Sequence, residues 1–295
     1  MTDKELLLLV NNSLRQNMGK AIITLFLVYL GTSLLGSSIL LFSSIGGSII
    51  IMSLMGFCVT TIFFMLYLGY VILLAKLYRG DRAIIGDIFF VFKHGKGTVS
   101  HSIFLSITFL LIAFVVLGLG SFFVFQNIVP HEHFSVEKML SKLMEIYSIL
   151  VFFCFLIFSL LVILPTAFVH LVFLDNPDIS LMDAYKENNN LLKGQKLHLF
   201  VLSLKVGGKW LVGTVVTFLL NMVIVVLLRA SVITIPESMT TFLLLFVNIL
   251  DIIFFICSYT TIIRIGTGIA AFYESIKPLD FSPFKVENII QIPEN

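Results

Sequence analysis

Long, uninterrupted apolar runs constrain this chain more strongly than any other feature of its sequence. Each run is about twenty residues or longer, the length that an α-helix needs to cross a bilayer. Stretches such as Phe152 to Leu164 are apolar on every side, whereas a strand of a membrane barrel alternates in polarity. Because lipid offers the backbone no hydrogen-bond partners, the runs predict helices. We expect six of them, at Ala21 to Phe42, Ile49 to Ala75, Ile103 to Val129, Ile149 to Leu174, Leu197 to Leu228 and Thr240 to Ile263.

The composition agrees with lipid as the main solvent. The 295 residues are 58% hydrophobic and only 12% charged, whereas a soluble domain is about half apolar and about a quarter charged. Cys58, Cys154 and Cys257 all lie inside apolar runs, where we expect small apolar side chains rather than a disulfide or metal set. We therefore predict an all-α, polytopic membrane bundle that forms one domain over residues 1–295, with short amphipathic helices at the cytoplasmic interface.

The distribution of lysine and arginine predicts how the helices are oriented. Loops rich in these residues stay in the cytoplasm. One side of the predicted bundle carries most of them, and the other side carries only Lys138, Lys142 and Arg229. Both ends of the chain fall on the basic side, so we predict cytoplasmic termini. Asp3 and Glu5 near the start, with no small-residue cleavage site after the first run, predict that the first helix is retained.

Local signals mark some of the helix ends. Thr2 and Ser180 each stand three residues before a carboxylate, that of Glu5 or Asp183, in the pattern of a helix N-cap. The fifth run is too long for one straight crossing at 1.5 Å per residue, and it contains Gly207. We therefore expect an interfacial segment at its start, followed by a break near Gly207.

Similar segments precede the first, third and fifth runs. Residues 11–20, 89–96 and 188–196 each place apolar residues and then glycine and lysine just before a span. One interpretation is a unit of interfacial helix plus helical hairpin used three times, over residues 1–75, 76–174 and 175–275, with a cytoplasmic tail at 276–295. The alternative is that lysine and glycine before a span are ordinary features of membrane proteins.

Residues suited to catalysis or metal binding are sparse. The phosphate-loop, dinucleotide-binding and zinc-protease patterns are all absent from the sequence. His131 and His133, with Glu132 and Glu137 nearby, share a face only in an extended segment, and a metal site needs further ligands in register. We interpret them as solvated polar residues. No catalytic residue, metal or cofactor is predicted.

A small set of polar residues falls inside the apolar runs. Asp251 lies near the middle of the sixth run, where an acidic group costs roughly 2.5–3.5 kcal/mol and needs partners. Asn248 is one turn earlier on the same face. If the fifth and sixth runs form a hairpin, Asn221 lies at nearly the depth of Asn248, and Thr217, one turn deeper, approaches Asp251. The cluster either holds the hairpin together or titrates as a proton or substrate site.

Pro165 interrupts the fourth run. Proline lacks a backbone donor, so it predicts a kink and frees a carbonyl one turn earlier. The kink is either a static packing device or a hinge.

Basic residues at the predicted cytoplasmic ends of the runs form a candidate surface for anionic lipid. Lys205 and Lys209 share a helix face beside Trp210, as is typical of side chains that reach toward headgroups; substrate binding is the alternative there. We expect membrane lipids, chiefly anionic ones, as partners, together with a membrane protein or a second copy of the chain, and no nucleic acid. The residues of this surface are Arg79, Arg82, Lys93, Lys96, Lys205 and Lys209.

Short motifs scattered over most of the chain resemble a known family. They are Leu77 to Asp81, Asp87 to Phe89 with Phe92, Asp175 to Pro177 with Ala184, Leu192 to Gly194 followed by Lys196 to Phe200, and Ala270 to Tyr273. Together they resemble the bacterial integral membrane family catalogued as domain of unknown function nine-seven-five. The sequence departs from it where Ser258 precedes Tyr259 and where Gly207 to Trp210 is less apolar, which leaves open a related branch such as the membrane domain of some glycerophosphodiester phosphodiesterases. The resemblance implies six helices in a bacterial plasma membrane and supplies no active site.

Two classes of function follow from these patterns. The first is a non-enzymatic integral membrane protein, whether transporter-like, lipid-handling or an accessory or immunity subunit, that acts through its bundle and its basic face. The second is an intramembrane enzyme acting on lipid, which requires a polar cluster open to water.

The orientation is directly testable with reporter fusions. Fusions after Gly95 and after Lys193 are expected to report from the cytoplasm, and a fusion after His133 from outside, because of the charge asymmetry. An external signal at Lys193 would contradict the predicted topology.

Overall fold

The computed structural model describes residues 2–44, 48–93, 96–128, 154, 157–229 and 237–277. Every regular element among these residues is helical, which confirms the predicted all-α class. These elements include a 3-10 helix, Ile85–Phe89, and a π-helix, Ser159–Ile163. The α-helices are α1 (Asp3–Ser44), α2 (Ile49–Arg79), α3 (Phe90–Lys93), α4 (Lys96–Ile128), α5 (Val169–Asp175), α6 (Leu181–Leu191), α7 (Lys196–Arg229) and α8 (Glu237–Ile276).

Five of the described helices are long and apolar enough to cross a membrane. Large apolar side chains such as Phe114, Leu219 and Ile252 are exposed on them, as expected for surfaces in contact with lipid. The predicted fourth span lies partly outside the described residues, so the count of six stays a prediction. The architecture is compatible with an integral membrane protein. The candidate spans are Asp3–Ser37, Ser53–Arg79, Lys96–Val116, Lys196–Ile224 and Leu245–Ile276.

The main buried core lies at one end of the bundle, which we call the Arg79 end after the last residue of α2. Leu6 and Val10 from the start of α1 and Leu77 from the end of α2 belong to this core. Apolar residues of α5, of the start of α7 and of the end of α8 also belong to this core. In the predicted topology the Arg79 end faces the cytoplasm.

The expected break in the fifth run is wrong, because α7 continues from Lys196 to Arg229. Gly207 instead faces α8, where an added Cβ would lie 2.6 Å from Cγ1 of Ile265. Gly213 has a similar position, with an added Cβ 3.0 Å from Sγ of Cys257. Small residues allow helix backbones to approach closely in a membrane. The glycines therefore tighten the contact between α7 and α8 rather than interrupting α7.

The first predicted interfacial helix is not separate either. Residues 11–20 belong to α1, which is a single helix from Asp3 to Ser44. Gly19 does not end it, since a glycine inside a helix lowers its stability without interrupting the hydrogen-bond ladder. Whether the short helices α3 and α6 lie at a membrane interface, and whether the chain contains three repeated units, stay predictions.

Both predicted N-caps are confirmed. The backbone amide of Thr2 donates to Oε2 of Glu5 at 2.7 Å, and the amide of Glu5 donates to the Thr2 hydroxyl at 3.4 Å. At the start of α6 the amide of Asp183 donates to the Ser180 hydroxyl at 3.2 Å. Hydrogen bonds from the Ser180 hydroxyl and the Lys186 ammonium lower the pKa of the Asp183 carboxyl, which stays charged at the positive end of the helix.

The chain around Pro165 is irregular and is held by one buried side chain. Residues 164–168 form turns between the π-helix and α5. Asn188 of α6 is fully buried; its Nδ2 donates to the Pro165 carbonyl at 2.8 Å, and its Oδ1 accepts from the Phe168 amide at 3.1 Å. Because proline interrupts the backbone ladder, Asn188 supplies partners that the helix lacks. This arrangement favours the static interpretation of Pro165 over a hinge.

Candidate functional site

A cluster of ion pairs joins three helices at the Arg79 end. The Arg79 guanidinium contacts Oδ1 of Asp175 at 2.9 Å, and its Nε donates to Oε1 of Glu274 at 2.7 Å. The Lys277 ammonium contacts Oδ2 of Asp175 at 2.6 Å, and the Tyr273 hydroxyl donates to the same oxygen at 2.6 Å. Two cations thus face two carboxylates. The cluster connects the ends of α2, α5 and α8.

The charged groups of this cluster are largely removed from solvent. The side chains of Arg79 and Lys277 are 9% and 7% exposed, and that of Asp175 is 15% exposed. Buried charges of this kind are tolerated only when they are paired and hydrogen-bonded. The structure therefore places Arg79, which the sequence assigned to the lipid surface, in the interior as a structural residue.

The other residues of the predicted lipid surface have different surroundings. Arg82, Lys93, Lys96 and Lys209 have exposed side chains. Lys205 is also exposed, but its ammonium contacts Oδ2 of Asp3 at 2.5 Å, beside His198, whose Nε2 lies 2.7 Å from Oδ1 of the same carboxylate. Arg82 and Lys93 thus lie in the connection between α2 and α4, Lys96 lies at the start of α4, and Lys209 lies on α7.

The connection from α2 to α4 turns back along α2. Gly80 makes the turn with a φ of 76°, a value that favours glycine. The chain then runs back along α2 until Ile88 contacts Gly69. A Cβ added at Gly69 would lie 2.0 Å from the Ile88 carbonyl oxygen. Asp87 is held to α2 by the Lys76 ammonium at 2.7 Å. We call residues 84–93 the fold-back segment.

The outer surface of the fold-back segment is apolar. Ile84, Ile85, Phe89 and Phe92 are 56%, 44%, 46% and 52% exposed, whereas Ile88 and Val91 are buried against the bundle. A cavity of about 460 Å³ lies beside the segment. This surface combines exposed apolar side chains with the nearby cations. The cavity is lined by Val91, Phe92, Lys96, Val99 and Ser100.

The predicted polar cluster inside the bundle is brought together in part. Nδ2 of Asn221 on α7 donates to Oδ1 of Asp251 on α8. Oδ1 of Asn221 is buried without a hydrogen-bond partner in the described part of the chain. Thr217 donates instead to carbonyls of its own helix, at 2.8 Å to Gly213 and 3.1 Å to Thr214. Asn248 lies one turn before Asp251 on α8. One amide–carboxyl pair, Asn221 with Asp251, thus joins α7 to α8 in this cluster.

A second polar contact connects α4 with α6. Nδ1 of His101 and the Tyr185 hydroxyl share a hydrogen bond of 2.9 Å, and His101 is 1% exposed. Burial raises the pKa of the Tyr185 phenol, which stays neutral at physiological pH. The sequence does not predict this contact, because a single histidine in an apolar helix forms no recognisable motif. Its role is to pair α4 with α6.

Metal binding finds no support in the described residues. Among them, no group of three or more histidine, cysteine or acidic side chains is placed to hold a metal ion. His131, Glu132, His133 and Glu137 lie outside the described residues.

Comparisons with known proteins leave the resemblance as a prediction. The chain matches no family model. No curated protein matches it. No solved structure matches it. The proposed role of the protein therefore depends on its own geometry.

Substitution of Asp251 tests how its pair with Asn221 acts. Asp251→Asn keeps the shape and the capacity for hydrogen bonding, so its melting temperature in detergent is expected to match that of the original protein. Asp251→Leu leaves the buried amide of Asn221 unpaired, and a loss of about 1 kcal/mol in the free energy of unfolding is expected.

Thr217→Val is the matched control, since the Thr217 hydroxyl is bonded within its own helix. It should cost less than Asp251→Leu. Equal melting of Asp251→Leu and the original protein would show that the pair does not hold α7 to α8.

Proposed function

We propose that this chain is a non-enzymatic, multi-pass protein of the bacterial plasma membrane that handles lipid, binding anionic headgroups at its cytoplasmic face. Both termini lie in the cytoplasm in this proposal, as the distribution of lysine and arginine predicts. Transport and an accessory or immunity role are other forms of the same class. The contacts of the described residues support lipid binding most directly.

The observation that carries the proposal is the connection between α2 and α4. It presents the exposed cations Arg82, Lys93 and Lys96 next to exposed aromatic rings, including Phe89 and Phe92. Each cation near an anionic membrane surface contributes about 1 kcal/mol of attraction. Because α2 and α4 are both candidate spans, the proposal places these cations near the membrane boundary.

Two cavities among the described residues support a binding role over an enzymatic one. An enzyme acting on lipid inside the membrane needs a hydrated cavity with at least two titratable groups. One cavity, of about 230 Å³, is lined by apolar residues and two threonines, Thr32 and Thr60. The larger one, beside the fold-back segment, has Lys96 as its single charged residue.

Neutralising the exposed cations tests this function. Arg82→Gln, Lys93→Gln and Lys96→Gln are combined, and Arg79 is left intact because its ion pairs are structural. The ratio of anionic to zwitterionic phospholipid that co-purifies in mild detergent, measured by mass spectrometry, is expected to fall in this triple variant. The difference should shrink at high salt, since salt screens exposed charges.

The matched control removes the same charge elsewhere. Lys4→Gln, Lys186→Gln and Lys193→Gln are combined, because these lysines are exposed and none of them belongs to residues 80–96. The control should retain its anionic lipid. Unchanged retention in the first variant, or an equal loss in both, would contradict the proposed function.

A further inference from the structure

We infer that the fold-back segment is a wedge that inserts into the cytoplasmic leaflet, with phospholipid acyl chains against its outer surface. The inference rests on the proposed function, because it needs the chain to lie in a membrane with its Arg79 end in the cytoplasm. It adds the depth of the segment and the residues that set that depth.

The length of α2 makes a return to the membrane possible. α2 has 31 residues, or about 46 Å at 1.5 Å per residue, whereas the hydrocarbon core is about 30 Å thick. α2 is thus about 16 Å longer than the core, and we assign this excess to the Arg79 end, because the last turn of α2 carries the cations Lys76 and Arg79. Ile88 contacts Gly69, which lies ten residues before Arg79, a distance of about 15 Å along the helix axis. The fold-back segment thus returns from the extended end of α2 to the depth of the membrane boundary.

The inner surface of the segment is fixed by three contacts with the bundle. The Ile88 carbonyl lies so close to the Cα of Gly69 that a side chain at position 69 would clash with it. The Lys76–Asp87 pair neutralises both charges, and the second Asp87 oxygen accepts from the Ile84 amide at 2.9 Å. Val91 packs with Phe64 and other apolar residues of α2 and α4. Irregular backbone is tolerated at membrane depth only when protein covers it, and here protein covers the inner surface.

The outer surface of the segment fits an anionic leaflet. Four large apolar side chains are exposed within nine residues, and the rings of Phe89 and Phe92 lie 6.1 Å apart. Arg82 and Lys96 flank them as exposed cations. Apolar side chains with flanking cations characterise segments that lie in the headgroup region. Negatively charged lipid complements this charge, so phospholipid is the occupant.

The depth of the segment is measurable by tryptophan fluorescence. Trp210 is the single tryptophan of the chain, so Trp210→Phe gives a background for Phe92→Trp. The protein is reconstituted in zwitterionic phosphatidylcholine vesicles with bromine on the acyl chains. We expect blue-shifted emission, strong quenching by the bromines and little quenching by aqueous iodide.

Two control positions calibrate the signal. Phe114→Trp, on the exposed surface of α4, should be quenched by the bromines, and Lys193→Trp, in an exposed turn, should be quenched by iodide. Absence of bromine quenching at position 92 would overturn the inference. If iodide also failed to quench there, a protein surface rather than lipid would cover the segment.

A pair of glycine variants tests how the depth is set. Gly69→Ala places a methyl group on the Ile88 carbonyl and should displace the segment, with a loss of bromine quenching at position 92. Gly56→Ala, in the same helix, has open space around the added methyl group and should leave the quenching unchanged. Equal quenching in the two variants would overturn the role of Gly69.

Different results would contradict the wedge and the proposed function. The wedge is measured in zwitterionic lipid, which has no net charge. Strong quenching there, without any preference for anionic lipid in the purified protein, would support the wedge and contradict the proposed function. If the purified protein retains anionic lipid but the bromines do not quench position 92, the proposed function is supported and the wedge is contradicted.

Discussion

The ion pairs at the Arg79 end are the interaction on which the rest of the structure depends. In a membrane, helices gain little from burying apolar side chains against one another, because lipid is equally apolar. A neutral cluster of two cations and two carboxylates gives the ends of α2, α5 and α8 a specific partner instead. Leaving any one of these charges unpaired would cost more than the pair itself contributes. The cluster therefore fixes which helix ends meet.

The neighbouring features follow from this fixed point. Asn188 bridges the irregular backbone around Pro165 and so directs α5, which ends at Asp175, into the cluster. On the other side, Arg79 is held in place, Gly80 reverses the chain, and the fold-back segment returns along α2 to Gly69. The surface that we propose for lipid is thus built on a connection whose start is held by ion pairs. Structure and proposed function share this end of the molecule.

The sequence predicted features with short-range causes and missed those set by distant contacts. The helical runs and the cap at Thr2 follow from local composition. Counting depth in a hairpin placed Asn221 level with Asn248 and Thr217 near Asp251, whereas the structure pairs Asn221 with Asp251, one turn away. Arg79 and Arg82 are the same residue type three positions apart, yet one is buried and the other exposed. Arg79 owes its burial to Glu274, 195 residues away. Gly207 was misjudged because a glycine that ends a helix and one that admits a neighbour look alike in sequence.

Thermal unfolding of Arg79→Met beside Arg82→Met in the same detergent tests the central role of the ion pairs most directly. Both variants lose one positive charge and gain the same side chain. Arg79→Met leaves Asp175 and Glu274 without their shared cation, and the account predicts a loss of about 3–5 kcal/mol in the free energy of unfolding. Arg82→Met should melt close to the original protein, because its side chain is exposed. Equal melting temperatures for the two variants would contradict the account.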